Sequence, residues 1–227
     1  MTIFGHIKKF ILIFLKYASL VLFSLVAIIP LVSCVITAFK TDAEYNSTNV
    51  MTPPSSWLYF ENFVSAFKKA GMGRAFINST IILIAVLILS VYIGTQLAYV
   101  LNRFQFFGNT LIRNLFLVAC QLPGVAMQIA VYEMMYKLGF INNMFGYILM
   151  TCGTDVISIY IYIQFFENID YSLDESAIMD GASYFTIFYK ILLPLLKPAI
   201  VTACILKGVG TYNEYYNANL YLQDKKR

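Results

Sequence analysis

Long apolar stretches separated by short polar ones dominate this 227-residue sequence. An α-helix rises about 1.5 Å per residue, so about 20 mainly apolar residues cross the roughly 30 Å hydrocarbon core of a membrane. Five stretches meet that requirement. The pattern therefore predicts an all-α, polytopic transmembrane bundle with spans at residues 11–39, 76–101, 111–136, 144–166 and 198 to about 216.

The two longest polar connections differ in character. Residues 40–74 contain turn-forming residues and then aromatic residues suited to a membrane interface, whereas residues 167–197 are polar and begin with acidic groups. We therefore expect residues 1–75 to form an N-terminal span with an extracellular loop, and residues 76–227 to form the transporting core. The turn and interfacial residues of the first connection are Asn46, Ser47, Pro53, Pro54, Trp57, Tyr59 and Phe60.

Basic residues near the ends of spans predict the orientation, because Lys and Arg in short loops stay on the cytoplasmic side. Lys8 and Lys9 place the N-terminus inside, and Arg103 and Arg113 do the same for the loop after the second span. Two further crossings place residues 167–197 inside as well. The basic tail at 224–227 then falls outside, which predicts either that the fifth segment does not cross or that a sixth span is missing.

Composition supports a membrane protein and argues against several other classes. Charged residues make up 12% of the chain, against about 25% in soluble domains. The net charge is +4, and the basic residues are scattered between the apolar stretches instead of forming a stripe. Nucleic-acid binding is not expected, and the lipid bilayer is the predicted surrounding. The chain has one histidine and four cysteines without CxxC spacing, so we predict no metal site and no cofactor bound by this chain.

The connection at 167–197 contains a helix-start pattern. Ser172 followed by Glu175 three residues later fits a capping box, in which each side chain bonds the other residue's backbone amide. Asp174 and Glu175 also suit the positive end of the helix dipole. Gly181 is placed to end the helix about two turns later.

A second short helix is predicted directly after the first. Ser183 is a good N-cap for residues 184–193, which run until proline interrupts them at Pro194. Ala177 and Ala182, with the intervening glycine, predict a small-residue surface able to lie close to another protein. Together the two helices form an elbow joined to the fifth span.

The sequence ESAIMDGA at 175–182, followed by ILLPLLKP at 191–198, resembles the Glu-Ala-Ala loop of ABC importer permeases. The Asp-Gly-Ala form resembles the carbohydrate-uptake branch, specifically the maltose-type second permease subunit. So do Asn78-Ser79, Ala98-Tyr99 with Arg103, and YNE at 212–214. Ser176 and Asp170 depart from the pattern, since they stand where family members usually have Ala and Pro.

The resemblance implies a type I ABC importer permease fold in which the elbow is a coupling helix seated on a cytoplasmic ATPase. It implies three kinds of partner: a second permease subunit, an ATPase dimer that binds the ATP and Mg, and an extracellular solute-binding protein. Family members usually have six spans, so the resemblance predicts that the final helix is missing. The implied docking loop comprises Ser172, Asp174, Glu175, Ser176, Ala177, Asp180, Gly181 and Ala182, with Leu193 and Pro194 fixing the elbow.

Polar residues inside the spans are candidates for a translocation path, because an ionised carboxylate at mid-bilayer is costly and needs a cavity or a partner. The alternative is that they hydrogen-bond between helices as packing contacts. Pro123-Gly124 is either a hinge for alternating access or a static kink. The candidate path residues are Gln96, Gln128, Tyr132, Asp155 and Asn213.

The function predicted from these features is a permease subunit of an ATP-driven, binding-protein-dependent importer, for a sugar or for another small polar solute. The sequence has no GxxxxGK[ST] motif, so ATP hydrolysis is expected in a separate chain. An intramembrane enzyme that uses Asp155 or Glu133 is the first alternative. The sequence, however, offers neither a Ser/His set nor a paired carboxylate for such an enzyme. A passive, truncated permease is the second.

Overall fold

The computed structural model describes residues 3–153 and 155–223, so Thr154 and the basic tail at 224–227 lie outside the described residues. Every element within those ranges is helical, as predicted. We number the helices α1 (Ile3–Ala38), α2 (Asp42–Ser47), α3 (Glu61–Lys69), α4 (Met72–Arg103), α5 (Asn109–Gln121), α6 (Gly124–Lys137), α7 (Met144–Gly153), α8 (Val156–Glu167), α9 (Ser172–Met179), α10 (Tyr184–Leu195), α11 (Lys197–Tyr212) and α12 (Tyr216–Tyr221).

The contacts divide the chain into two compact units, within Met1–Ala75 and Phe76–Arg227. In the first unit the connection after α1 is more helical than expected. Thr41 and Glu44 form a capping box, with the Thr41 amide donating to Glu44 Oε2 at 2.9 Å. Asn46 and Ser47, predicted as turn residues, lie inside α2 because this cap starts a helix before them.

Two helices are long and apolar enough to cross a membrane alone. They are α1, over its residues Lys9–Ala38, and the whole of α4, Met72–Arg103. The third and fourth predicted spans are each a pair of helices bent by more than 40°. The fifth, α11, is long enough to cross only together with α10, so the described residues contain up to five spans if each bent pair counts as one. The third predicted span breaks before Pro123, which has no amide hydrogen to continue α5. The predicted fifth span stops earlier than expected, at Tyr212.

The core of the second unit lies where α4, α8, α10 and α11 meet. Ala98, Phe166, Ile187 and Leu192 are completely buried in it. Gly94 lets α4 and α8 approach each other closely, since a Cβ at this position would stand 3.0 Å from the buried ring of Tyr162 in α8. This cluster places the end of α4 beside the predicted elbow.

Candidate functional site

Helix α9, which the sequence predicts to be a coupling helix, begins differently from expectation. Ser172 occupies the first helical position, and its amide donates to Asp170 Oδ1 at 2.9 Å. The amide of Glu175 donates to the Tyr171 carbonyl at 3.2 Å instead of to the Ser172 hydroxyl. The predicted capping box is therefore wrong: Asp170, two residues before Ser172, accepts the hydrogen bond at the helix start. The hydrogen bonds from the amide and the hydroxyl of Ser172 hold the pKa of Asp170 below its ordinary value.

The end of α9 confirms the prediction from Gly181. Its φ of +81° is in the left-handed region, and its amide donates to the Ile178 carbonyl at 2.9 Å. The Ala182 amide reaches back to the Ala177 carbonyl at 2.9 Å, which completes a Schellman motif. Ser183 then caps α10 as expected, accepting from the Thr186 amide at 3.3 Å.

The two faces of α9 have opposite environments. Ser172, Glu175, Ser176 and Met179 share one face at helical spacing, and all are exposed, Met179 by 88%. Asp180 and Gly181 continue this exposed surface, and Ala182 is half-buried beside it.

Asp174 and Ala177 lie on the other face of α9 and retain 4% and 7% of their exposure. Both residues were predicted to lie on the docking surface. Their burial corrects that placement, because neither side chain is presented to a partner.

Asp174 forms a buried ion pair with Arg103 at the end of α4. The Arg103 Nε lies 2.9 Å from Asp174 Oδ2, and the two side chains are 9% and 5% exposed. Arg103 Nη2 also donates to the Ile169 carbonyl at 2.9 Å, and the guanidinium lies 5.3 Å from the Tyr171 ring centre. Burial raises the pKa of Asp174 above its ordinary value, while the charge of Arg103 opposes the rise.

The elbow, which consists of α9 and α10, joins α11 through a bend of 70° between α10 and α11. Residues 187–192 are π-helical, and Ile187, Phe188 and Leu192 are buried in the core. The bend falls at the buried Leu196, whereas Leu193 is partly buried against the core and Pro194 is exposed. The predicted pair therefore lies beside the bend rather than at it.

A polar cavity of about 330 Å³ lies between the α7–α8 break and α11. Asp155 stands at the break, with Oδ1 4.0 Å from the Lys207 Nζ, which also donates to the Thr151 carbonyl at 2.8 Å. Asp155 Oδ2 and Thr211 Oγ1 are buried without a hydrogen-bond partner in the described structure. The polar residues that line the cavity are Tyr147, Thr151, Asp155, Ser158, Lys207, Thr211, Glu214 and Asn217.

The other predicted path residues do not line this cavity. Gln128 comes nearest, since its amide donates to Asn217 Oδ1 at 3.1 Å. Gln96 donates to the Tyr189 hydroxyl at 3.1 Å, and Asn213 bonds back to the Val209 carbonyl of its own helix. Tyr132 packs against the ring of Tyr221 at 5.9 Å.

Sequence reasoning missed most of the cavity. Lys207, Thr211 and Glu214 recur at i, i+4 and i+7, which places them on one face of a helix. This stripe of polar residues on one helix face was the sequence pattern that could have predicted the lining of the cavity. Among the described residues no three His, Cys, Asp or Glu side chains come close enough to hold a metal ion.

The elbow and the cavity both fall within a family match. The profile described as "Binding-protein-dependent transport system inner membrane component" matches residues 87–221, more than half of the chain. The chain belongs to this family. The matched region of this inner membrane component contains α8 to α12 completely, together with Arg103 and Asp155.

Several curated relatives of this inner membrane component are named as permeases for sugars. It is 28% identical over 202 residues to the diacetylchitobiose uptake system permease protein NgcG of Streptomyces coelicolor, covering 88% of this chain and 66% of that protein. It is 30% identical to the melibiose/raffinose/stachyose import permease protein MelC of Bacillus subtilis, covering 87% and 71%. It thus spans about two thirds of the length of such relatives.

The fold of this inner membrane component matches a solved transporter. The crystal structure of a bacterial ABC transporter involved in the import of the acidic polysaccharide alginate superposes with a TM-score of 0.77 at 23% identity. The match covers 96% of this chain and 76% of the other. The likeness establishes an ABC importer permease fold.

Proposed function

We propose that this chain is the permease subunit of an ATP-driven importer for a sugar or oligosaccharide, in which α9 docks on a cytoplasmic ATPase. Its partners are a second permease subunit, an ATPase dimer that binds ATP and Mg, and an extracellular solute-binding protein. The chain lies in the plasma membrane with a cytoplasmic N-terminus. The names of the curated relatives support a carbohydrate, and another small polar solute is the alternative.

The exposed face of α9 carries the docking proposal. Met179 is a large apolar side chain, 88% exposed, on a segment outside the spans, where lipid does not cover it. Glu175, Ser176 and Asp180 surround it with polar groups. An apolar residue rimmed by polar ones is typical of a protein interface.

We further propose that the polar cavity forms part of the translocation path, with Gln128 at its edge. Asp155 and Lys207 offset each other's charge, which suits a neutral solute that hydrogen-bonds through hydroxyl groups. Glu214 and Asn217 also line the cavity and carry the carboxylate and amide groups that such hydrogen bonds need. Conformational change driven by the ATPase then alternates access to this cavity.

Co-purification from membranes tests the docking surface. We expect Glu175→Arg with Met179→Asp to lose the ATPase subunit, which is identified by a peptide carrying its phosphate-binding GxxxxGK[ST] motif. Glu133→Lys is the matched control, because Glu133 is 63% exposed and, among the described residues, forms an ion pair with Lys137 alone. Retention of the ATPase by the α9 variant, at the level of the control, contradicts the proposal.

A further inference from the structure

Arg103 joins the last turn of α4 to both the start and the body of the coupling helix. Its guanidinium contacts the Asp174 carboxylate at 2.9 Å and the Ile169 carbonyl at 2.9 Å, and it lies over the ring of Tyr171. One side chain of α4 thus contacts three residues within six positions of the segment that leads into α9. No other ion pair among the described residues is as deeply buried.

The pair depends on charge rather than on a shared hydrogen-bond network. Neither Asp174 oxygen accepts a well-aligned hydrogen bond from a described residue. Removing Arg103 therefore leaves a buried carboxylate with no compensation, and removing Asp174 leaves the guanidinium without a counter-charge, although it keeps its hydrogen bond to the Ile169 carbonyl. Separating the two helices breaks this ion pair and the Arg103 hydrogen bond to the Ile169 carbonyl together.

Apolar packing supports the same joint on either side. Ala177 of α9 is buried in the cluster that contains Ala98 and Leu101 of α4. The ring of Phe104, directly after α4, lies 5.3 Å from that of Tyr184 at the start of α10. The end of α4 therefore contacts both helices of the elbow.

We infer that Arg103 and Asp174 are positioning residues that make α9 and the end of α4 move as one body when the ATPase displaces the coupling helix. This inference rests on the proposed docking of α9. It adds a further route by which force enters the membrane bundle, since the chain itself joins the elbow to α8 and α11 but not to α4. The lever then acts on α4 as well.

Spin-label distances test the joint in the assembled transporter. Leu173→Cys on α9 and Val100→Cys on α4 are exposed and lie outside the docking face. The four native cysteines, Cys34, Cys120, Cys152 and Cys204, are first replaced by Ser or Ala. The distance is measured without nucleotide and after trapping with ATP, Mg and vanadate.

We expect one narrow distance that is the same in both states for the wild-type pair. Arg103→Met and Asp174→Asn should each replace the narrow distance with a broad distribution of label-to-label distances, and this distribution should shift on trapping. Arg103→Lys should broaden the distance distribution less. The lysine ammonium keeps the charge that pairs with Asp174 but lacks the second nitrogen that donates to the Ile169 carbonyl. Arg113→Met is the matched control, since it breaks the exposed pair between Arg113 and Glu167 and should leave the distance unchanged.

A wild-type distance that shifts on trapping overturns the inference, as does a narrow, unshifted distance in Arg103→Met. Where a single variant misfolds, Arg103→Met with Asp174→Leu removes both charges, preserves a packed interior and still lacks the pair. This double variant should keep the ATPase and lose the fixed distance. Failure of the wild-type chain to co-purify with any ATPase would instead count against the proposed function, while the distance width in the isolated chain would still test the joint.

Discussion

Lys207 reaches across the break between α7 and α8, with its Nζ 4.0 Å from Asp155 Oδ1 and 2.8 Å from the Thr151 carbonyl. The lysine thereby offsets the buried carboxylate and binds the last turn of α7 at the same time. The two side chains are 14% and 11% exposed. The pair thereby links α11 to the interrupted span and offsets a carboxylate that is largely removed from the surface.

Lys207→Met should destabilise the protein by about 3 kcal/mol, because it leaves Asp155 buried and unpaired. We take the low end of the range for buried pairs since the charged atoms are 4.0 Å apart. Thermal unfolding in detergent measures the change. Adding Asp155→Asn should recover most of the loss, and a double variant as unstable as the single one would show that the two charges do not interact.

Gly94→Ala should destabilise the protein by about 1–3 kcal/mol, because the new methyl group meets the Tyr162 ring at 3.0 Å and that ring is 1% exposed. Gly210→Ala in α11 is the matched control, since its Cβ has no neighbour within 4 Å. It should stabilise by about 0.5–1 kcal/mol through helix propensity alone. Equal shifts in unfolding midpoint for the two variants would rule out a steric role for Gly94.

Local signals in the sequence predicted the ends of the elbow helices well. Gly181 and Ser183 act through their own backbone neighbours, so their roles follow from residue type and spacing. The start of α9 was harder, because Asp170 and Ser172 are both good caps only two residues apart. Choosing between them depends on the path of the chain out of α8.

The faces of α9 were not predictable from its own sequence. Asp174 is an acidic residue in a first helical turn, which usually means exposure near the helix dipole. Its burial depends on Arg103, which is distant in the chain and reaches it only through the fold. The cavity is similar: Asp155 was recognisable as a costly intramembrane charge, but its partner Lys207 is set by the packing of α11 on α8.

Acid should loosen the start of α9. The Ser172 amide and hydroxyl lower the pKa of Asp170 from its ordinary value of 3.8, so the folded state binds this proton less readily than the unfolded state. The cap's contribution is therefore complete above about pH 3.8 and disappears as the pH falls through the lowered folded value. Hydrogen exchange at the Ser172 amide, corrected for its intrinsic pH dependence, should show protection lost over that window.

Asp170→Asn separates this effect from general acid unfolding. Asparagine keeps a side-chain oxygen that accepts from the Ser172 amide but does not titrate in this range. Protection at Ser172 should then be independent of pH across the window. A wild-type profile that matches the Asn variant would mean that the Asp170 carboxylate does not stabilise the helix start.

Gly181→Ala should weaken the end of the coupling helix by about 1–2 kcal/mol, the cost of a Cβ in the left-handed region that Gly181 occupies at φ +81°. The added methyl group meets no atom within 4 Å, so the cost is conformational and not steric. Limited proteolysis between α9 and α10 should accelerate as the Schellman hydrogen bonds from Gly181 and Ala182 open. Gly181→Asn should be milder, because asparagine tolerates this conformation better than alanine, and an alanine variant cleaved no faster than wild type would show that the segment reaches the same fold with another backbone angle.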